Sequence, residues 1–258
     1  MVFLSKNAKK YFKKAQDEVF DWWNPERRDM SIIYKHGLDR AIEELRKYKE
    51  VKYILDIGCG KGRVTKILSS YYNVVAIDIS KRMVNYVQNL NLSNVKVLVG
   101  DSEALPLEAV SMDAIICLET LVHFSNLNKV FSEFYRVLKP GSICIVNIDN
   151  AYGYIRILKT IIDRIIYIFD RQYKKERQRR LEFFKPLIPR VVQKTAEHNS
   201  FVLIKKIYIG TMVPFKLKNI TIISQKLFKY IFNINRILEK MPILNLGSTY
   251  IYYVFRKK

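Results

Sequence analysis

The stretch that most constrains the fold is an apolar run, Tyr53–Ile57, that leads into three glycines spaced two residues apart. These are Gly58, Gly60 and Gly62, and a helical pattern of apolar residues follows them. Glycine permits positive φ and lets the backbone pass close to a ligand, because it has no Cβ. The N–H groups at the start of the helix should favour an anionic group. The stretch therefore predicts a strand, a tight turn and a helix, with a nucleotide-like cofactor at the turn.

The spacing of the glycines differs from that of the dinucleotide-binding fingerprint. That fingerprint has glycines at its first, third and sixth positions, whereas Gly62 stands at the fifth position here and Arg63 at the sixth. A nicotinamide cofactor is therefore disfavoured. A glycine-rich turn that serves only as a connection is the remaining alternative.

The segment Leu55–Gly62, with the sequence LDIGCGKG, resembles the first motif of class I S-adenosylmethionine-dependent methyltransferases. Later segments resemble the rest of that domain over about residues 51–149, and more loosely to about residue 210. The resemblance implies an α/β fold with a doubly wound, mostly parallel seven-stranded sheet and an antiparallel last strand, Thr249–Phe255. It also implies S-adenosylmethionine as the cofactor and S-adenosylhomocysteine as its product.

Acidic residues follow the predicted second and third strands. Asp78 ends the apolar run that begins at Asn73, and the carboxyl ends of neighbouring parallel strands line one crevice. A carboxylate there can accept hydrogen bonds from both ribose hydroxyls, which is the role that the resemblance gives to Asp78. The resemblance also places Asp56 near the methionine amino group and Asp101 at the adenine amine. The predicted cofactor-binding residues are Asp56, Gly58, Cys59, Gly60, Gly62, Asp78, Ile79, Asp101, Ser102, Glu103 and Leu118.

The fourth predicted strand is followed by Glu119 and His123, which are the predicted catalytic residues. Positions four apart share a face of a helical turn, so both side chains can point into the crevice. Their pattern resembles the small-molecule methyltransferases of quinone biosynthesis. A histidine can act as general base on an acceptor hydroxyl. Methyl transfer mainly requires alignment of the acceptor, so a positioning role for His123 is the alternative.

Segments outside the core are predicted to be helical. Residues 1–50 form an N-terminal cap, in which Trp22 and Trp23 cover a substrate cavity or pack in the core. The cofactor-binding core spans 51–149, a helical lid insertion 150–188, and the rest of the sheet 189–258. A basic amphipathic helix is expected at about 216–240, which can pack on the core as part of the lid, lie on an anionic membrane or self-associate.

The net charge of +21 is concentrated in the second half of the chain. Residues 51–150 carry 10 Lys and Arg against 9 acids, whereas residues 201–258 carry 11 against 1. Such an excess favours an anionic partner, either phospholipid, nucleic acid or an acidic substrate. A solvated surface that keeps the protein soluble is the alternative.

The compartment is predicted from what the sequence lacks. It contains no apolar run of about 18 uncharged residues and no signal-peptide core, so we expect a cytoplasmic protein that can also be peripheral to a membrane. Cys59, Cys117 and Cys144 are widely spaced, so we expect reduced, buried thiols and no metal cluster.

The predicted function is transfer of a methyl group to an O, N or C atom of a small or lipid-like acceptor, because the lid elements are apolar as well as basic. RNA or protein methylation would suit the charge. However, the fourth strand is not followed by an Asn-Pro-Pro-Tyr-type tetrapeptide, and the chain contains no recognisable RNA-binding module. A non-catalytic S-adenosylmethionine-binding protein at the membrane periphery is the third hypothesis.

Overall fold

The computed structural model describes residues 28–154, 157–158, 161, 187–211, 216–217, 220–221 and 225–258. The predictions for Trp22, Trp23 and most of the 150–188 insertion lie outside these described residues.

Six helices are present in the described part of the chain: α1 (Arg28–Leu45), α2 (Arg63–Leu68), α3 (Lys81–Gln88), α4 (Leu127–Val137), α5 (Pro189–His198) and α6 (Gln225–Leu238). The main sheet is built from β1 (Tyr53–Ile57), β2 (Asn73–Asp78), β3 (Val95–Val99), β4 (Met112–Cys117), β5 (Leu138–Asp149), β6 (Phe201–Ile209) and β9 (Tyr250–Lys257). A separate two-stranded sheet contains β7 (Lys216–Leu217) and β8 (Ile220–Thr221). None of the described helices is long and apolar enough to cross a bilayer.

The main sheet has the strand order β3-β2-β1-β4-β5-β9-β6. The pairs of β1 with β2 and β4, of β2 with β3, and of β4 with β5 are parallel. Strand β9 runs antiparallel to both β5 and β6 and lies between them. The predicted seven-stranded sheet with an antiparallel last strand is therefore confirmed.

Helices cover both faces of this sheet, and alternate residues of β9 enter the two resulting cores. Tyr253 and Phe255 pack in the core that includes Phe131 and Phe134 of α4. Tyr252 packs in the other core, which α1 covers. Because strands buried on both faces need apolar residues at nearly every position, this arrangement explains the continuous apolar runs in the sequence. The three cysteines are buried free thiols, as predicted.

The helix expected at about 216–240 is shorter in the structure. It begins at Gln225, and the preceding β7 and β8 pair in antiparallel fashion through Leu217 and Ile220. Ile220 and Thr221 are β-branched, and β-branched residues favour a strand over a helix.

Candidate functional site

A cavity of about 380 Å³ opens at the carboxyl ends of the five parallel strands β1 to β5, and α1 also contributes to its wall. Eleven of the thirteen predicted site residues line it: Gly58, Cys59, Gly60, Asp78, Ile79, Asp101, Ser102, Glu103, Leu118, Glu119 and His123. Asp56 and Gly62 do not line this cavity. Because parallel strands bring their carboxyl ends to one edge, residues at the ends of all five parallel strands meet there.

The glycine turn has positive φ at Gly58, Gly60 and Gly62, with values of 69°, 51° and 79°. A Cβ on Gly58 would lie 2.2 Å from Cγ2 of Thr120, and a Cβ on Gly62 would lie 2.9 Å from Cγ2 of Val87. A Cβ on Gly60 would meet no atom within 4 Å. Gly58 and Gly62 thus permit close packing inside the protein, whereas Gly60 leaves open space at the cavity.

The N–H groups of this turn are used within the protein. Those of Gly58 and Cys59 donate to the carbonyl oxygen of Ile77 at 2.8 and 3.1 Å. The N–H of Gly60 donates to Oδ2 of Asp78 at 2.9 Å. These bonds occupy the N–H groups of Gly58, Cys59 and Gly60, whereas the expectation of an anionic group concerned the start of α2 at Arg63. The bonds fix the turn to the end of β2, so its contribution to a ligand site is space and shape.

Asp78 lies at the cavity wall, and backbone groups hold its carboxylate in place. Its Oδ1 accepts from the N–H of Ser80 at 2.9 Å, and its Oδ2 accepts from Gly60. Burial raises the pKa of Asp78, although the backbone hydrogen bonds act in the opposite direction. The carboxylate is therefore oriented before any ligand arrives.

Asp56 lies behind the glycine turn and is only 2% exposed. Its Oδ2 accepts a hydrogen bond of 2.6 Å from Oγ1 of Thr65 in α2. Burial raises the pKa of Asp56 to about 7, and the charge of Asp78 adds to the effect. The geometry connects Asp56 to the helix that follows the turn.

The segment after β3 is folded into a turn that reaches α4. Oδ1 of Asp101 accepts from the N–H of Glu103 at 3.0 Å, and Oε1 of Glu103 accepts from the N–H of Asn126 at 3.1 Å. Asn126 is the N-cap of α4, since its side chain accepts from the N–H of Lys129. These contacts hold Asp101 and Glu103 at the cavity.

Glu119 has a positive φ of 56°, which is uncommon for a residue with a side chain. Its N–H donates to Oδ1 of Asn147 at 2.6 Å, and Nδ2 of Asn147 donates back to Oε1 of Glu119. Burial raises the pKa of Glu119 to about 8, and the charge of Asp149 adds to this, while Asn147 and Arg63 oppose it. Asn147 therefore positions a carboxyl group that titrates near neutral pH.

His123 ends a short 3₁₀ turn, Leu121–His123, and its N–H donates to the carbonyl oxygen of Thr120 at 2.9 Å. Glu119 precedes this turn with a left-handed backbone, so the two residues do not share the regular helical face that was predicted. Both nevertheless line the cavity. Glu119 and His123 therefore meet at the cavity because the backbone bends at Glu119, and not because they are four residues apart on a helix.

The sequence did not identify eight further polar residues that line the cavity: Tyr34, Lys61, Arg63, Thr120, Ser125, Asn147, Asp149 and Tyr252. Asn147 and Asp149 interrupt the apolar run of β5, and this interruption is a signal in the sequence. Tyr34 comes from α1 and Tyr252 from β9, more than two hundred residues later, so nothing in the sequence connects them. The hydroxyl of Tyr250 donates to that of Tyr34 at 2.7 Å and joins the same two elements.

The cavity combines acidic and basic groups at its polar wall. Burial lowers the pKa of Arg63, while the charge of Glu119 acts in the opposite direction. Glu119, after the end of β4, interacts with this guanidinium and also with Asp149 at the end of β5. Such an arrangement can orient a polar ligand and exchange a proton with it.

Residues 55–146 match the family model described as a methyltransferase domain. An uncharacterized protein of Methanocaldococcus jannaschii is 31% identical over 163 residues, which are 62% of this chain and 63% of that protein. A sterol 24-C-methyltransferase of Gibberella zeae is 30% identical over 150 residues, covering 53% of this chain and 40% of its own length. A ubiquinone biosynthesis O-methyltransferase of Coxiella burnetii is 26% identical over 137 residues, covering 52% and 58%. The chain thus spans from 40% to 63% of the length of these relatives.

Among solved structures, the magnesium protoporphyrin IX methyltransferase of Synechocystis with bound SAH has the same fold. Its TM-score is 0.63 at 15% identity, and the superposition covers 98% of both chains. The strand order, with an antiparallel strand inserted next to the edge, agrees with the domain match. Residues 55–146 are therefore similar to methyltransferase domains, and the chain has the fold of the class I S-adenosylmethionine-dependent methyltransferases.

Proposed function

We propose that this protein transfers a methyl group from S-adenosylmethionine to an O, N or C atom of a small or lipid-like acceptor. The observation that carries the proposal is that one cavity joins the glycine turn to Asp78, Asp101 and Glu119. The relatives named as sterol and ubiquinone-biosynthesis methyltransferases support an acceptor of this class.

The residues at the glycine-turn side of the cavity fit S-adenosylmethionine. The open space over Gly60 is what a backbone in close contact with a ligand requires. The fixed carboxylate of Asp78 would accept the ribose hydroxyls, and Asp101 would accept the adenine amine. When bound, the cofactor supplies an electrophilic methyl group, so the protein's work is to bind, orient and exclude water.

The residues at the ends of β4 and β5 fit the acceptor. In its neutral form Glu119 can donate a hydrogen bond to an acceptor oxygen, and in its ionised form it can take a proton from the attacking group. His123 either shares this role or aligns the acceptor. A basic role for Glu119 requires methylation to accelerate as pH rises towards about 8, because only the ionised carboxylate accepts a proton.

An anionic membrane is the partner that we propose for the basic part of the chain. The support is the excess of 11 Lys and Arg over 1 acid in residues 201–258, together with exposed apolar side chains such as Ile237 and Ile243. Nucleic acid is the competing anionic partner.

The test of the proposed function begins with calorimetric titration of the purified protein with S-adenosylmethionine, using NAD as the control. Total lipid and total RNA extracts are then offered as acceptors with methyl-labelled cofactor. We expect binding of S-adenosylmethionine alone and label in the lipid fraction. Label in the RNA fraction would mean that the acceptor is RNA and not a small or lipid-like molecule. Binding of S-adenosylmethionine without any labelled product would favour a non-catalytic cofactor-binding protein. Failure to bind S-adenosylmethionine would contradict the proposal altogether.

A further inference from the structure

In the part of α6 whose side chains are described, Phe232 and Asn235 face the protein and two isoleucines face outward. Asn235 is 1% exposed, and the ring of Phe232 packs edge-on against His36 of α1 with centroids 5.2 Å apart. Ile234 and Ile237 are 49% and 63% exposed on the opposite side. A helix that packs on a core normally buries its apolar residues. The outward position of these isoleucines therefore indicates that this side of α6 has another use.

Glu239, directly after α6, is also turned inward. Its Oε2 lies 3.0 Å from Nε2 of His36, and its Oε1 accepts from the N–H of Gly210 at 2.8 Å. It is the only acidic residue in 201–258. Arg236 and Lys240, by contrast, are exposed. The charge presented around the exposed isoleucines is therefore positive.

A second group of exposed apolar side chains lies next to the first, between the end of β5 and the loop after α6. Ile243 is 78% exposed, and its carbonyl oxygen accepts from the hydroxyl of Tyr154 at 3.5 Å. Nδ2 of Asn150 donates to the carbonyl oxygen of Leu246 at 2.8 Å, so the two segments are in contact. We define the apolar rim by six exposed residues: Tyr152, Tyr154, Leu158, Ile237, Ile243 and Leu246.

The apolar rim is close to the cavity. Asp149, which lines the cavity, is the last residue of β5, and Tyr152 follows it by three positions. In β9, Tyr250 pairs with Asp149 and lies four residues after Leu246. Both segments of the rim therefore leave the sheet where the cavity opens.

We propose that the apolar rim inserts into an anionic phospholipid membrane, with Arg236 and Lys240 at the headgroups. Exposed apolar side chains flanked by cations match the two attractions that hold a peripheral protein at such a surface. A second copy of this chain fits less well, because two rims would bring the same cations together on molecules of net charge +21. The rim would hold the cavity next to lipid, and this link to a lipid-like acceptor rests on the proposed function.

The test is co-sedimentation of the full chain with phosphatidylcholine vesicles and with vesicles in which phosphatidylserine replaces part of that lipid. We expect binding to the anionic vesicles only, and loss of binding at high salt because exposed charges are screened. Ile243→Glu should lower the partition coefficient about tenfold, because it puts a charge in place of an isoleucine that the membrane would bury. Reversal of Arg236 and Lys240 to Glu should abolish the preference for anionic vesicles.

The matched control is Val202→Glu, which places the same charge at an exposed apolar position of edge strand β6. Its partition coefficient should equal that of the wild type. Sedimentation velocity without vesicles measures the oligomeric state and so tests whether the apolar rim binds a second copy of the chain. Equal binding of the wild type and Ile243→Glu, or a wild-type dimer that Ile243→Glu separates, would overturn the membrane assignment. Vesicle binding is measured without cofactor, so its failure is distinguishable from failure of S-adenosylmethionine binding.

Discussion

At the scale of single residues, burial controls the charge of the cavity. It is the largest cause of the raised pKa of Asp56, Asp78 and Glu119, which lie at the ends of adjacent strands. Hydrogen bonds from Thr65, from backbone N–H groups and from Asn147 compensate only in part. Asp56 and Glu119, with pKa values of about 7 and about 8, are thereby suited to hydrogen bonding and proton exchange near neutral pH.

Replacement of Asp78 by alanine should weaken S-adenosylmethionine binding at least about tenfold, because two hydrogen bonds to ribose hydroxyls would be lost. Calorimetric titration measures the change. Glu108→Ala, which removes an exposed carboxylate away from the cavity, is the control and should bind like the wild type. Unchanged affinity in Asp78→Ala would remove Asp78 from the site.

The stability of the protein without ligand should fall as pH rises from about 4.5 towards about 8, because folded Glu119 keeps its proton over this range and the unfolded chain does not. The slope from one such group is at most about 1.4 kcal/mol per pH unit. Asp56 contributes with the same sign, from about 3.8 to about 7. Denaturant unfolding at a series of pH values should give Glu119→Gln a shallower slope than the wild type.

Glu108→Gln is the control for this series and should retain the wild-type slope. Parallel curves for Glu119→Gln and the wild type would mean that Glu119 does not hold its proton in the folded state.

At the scale of elements, the glycine turn is one unit with β2 and with the start of the 3₁₀ turn. Its N–H groups bond to Ile77 and Asp78, and Gly58 packs against Thr120. These contacts join the first, second and fourth strands at the point where the cavity opens. The turn therefore shapes the cavity through its fixed backbone.

Alanine substitutions should distinguish a glycine that is needed for packing inside the protein from a glycine that leaves space for the ligand. Gly58→Ala should destabilise the fold by several kcal/mol, since it combines positive φ with a contact of 2.2 Å to Thr120. Gly60→Ala should cost only about 1–2 kcal/mol of stability and yet impair S-adenosylmethionine binding, because its Cβ enters the cavity.

Gly141→Ala is the control: it has a φ of 76° and no neighbour within 4 Å, but lies at the opposite end of β5. The thermal stability of Gly141→Ala should equal that of Gly60→Ala. Its affinity for the cofactor should equal that of the wild type. If Gly60→Ala bound S-adenosylmethionine normally, the cofactor would not pass over the turn.

At the scale of the whole molecule, β9 joins the parallel part of the sheet to its far edge. Seven residues of β5 and eight of β6 pair with it. Phe255 of β9 is fully buried and packs edge-on against Phe131 of α4 at a centroid distance of 6.0 Å. The last strand of the chain therefore packs in the same core as α4, which comes from the middle of the chain.

Phe255→Ala should lower the free energy of unfolding by about 3–5 kcal/mol, because a large side chain is removed from a closed core. Val202→Ala, at an exposed position of the neighbouring strand, should change it by no more than about 0.5 kcal/mol. Denaturant unfolding of both variants measures the difference. Equal losses would contradict the assignment of Phe255 to the centre of the core.

The succession of strands and helices in the main sheet and eleven of the 24 residues that line the cavity could be predicted from the sequence. Gly58, Asp78, Asp101 and Glu119 each follow an apolar strand, and parallel topology alone brings such strand ends together. The start of α6 could not be placed correctly, because the apolar positions before Gln225 also suit a short β-branched hairpin.

What the sequence by itself determined was therefore local: the glycine turn, the acids at strand ends and the periodicity of each element. Only the tertiary structure decided that Tyr34, Asn147, Asp149 and Tyr252 share one wall, and that α6 turns Ile237 outward. Contacts between distant segments depend on how helices and strands rotate and pack against one another. Local patterns limit those rotations but do not fix them, because several orientations bury comparable apolar area.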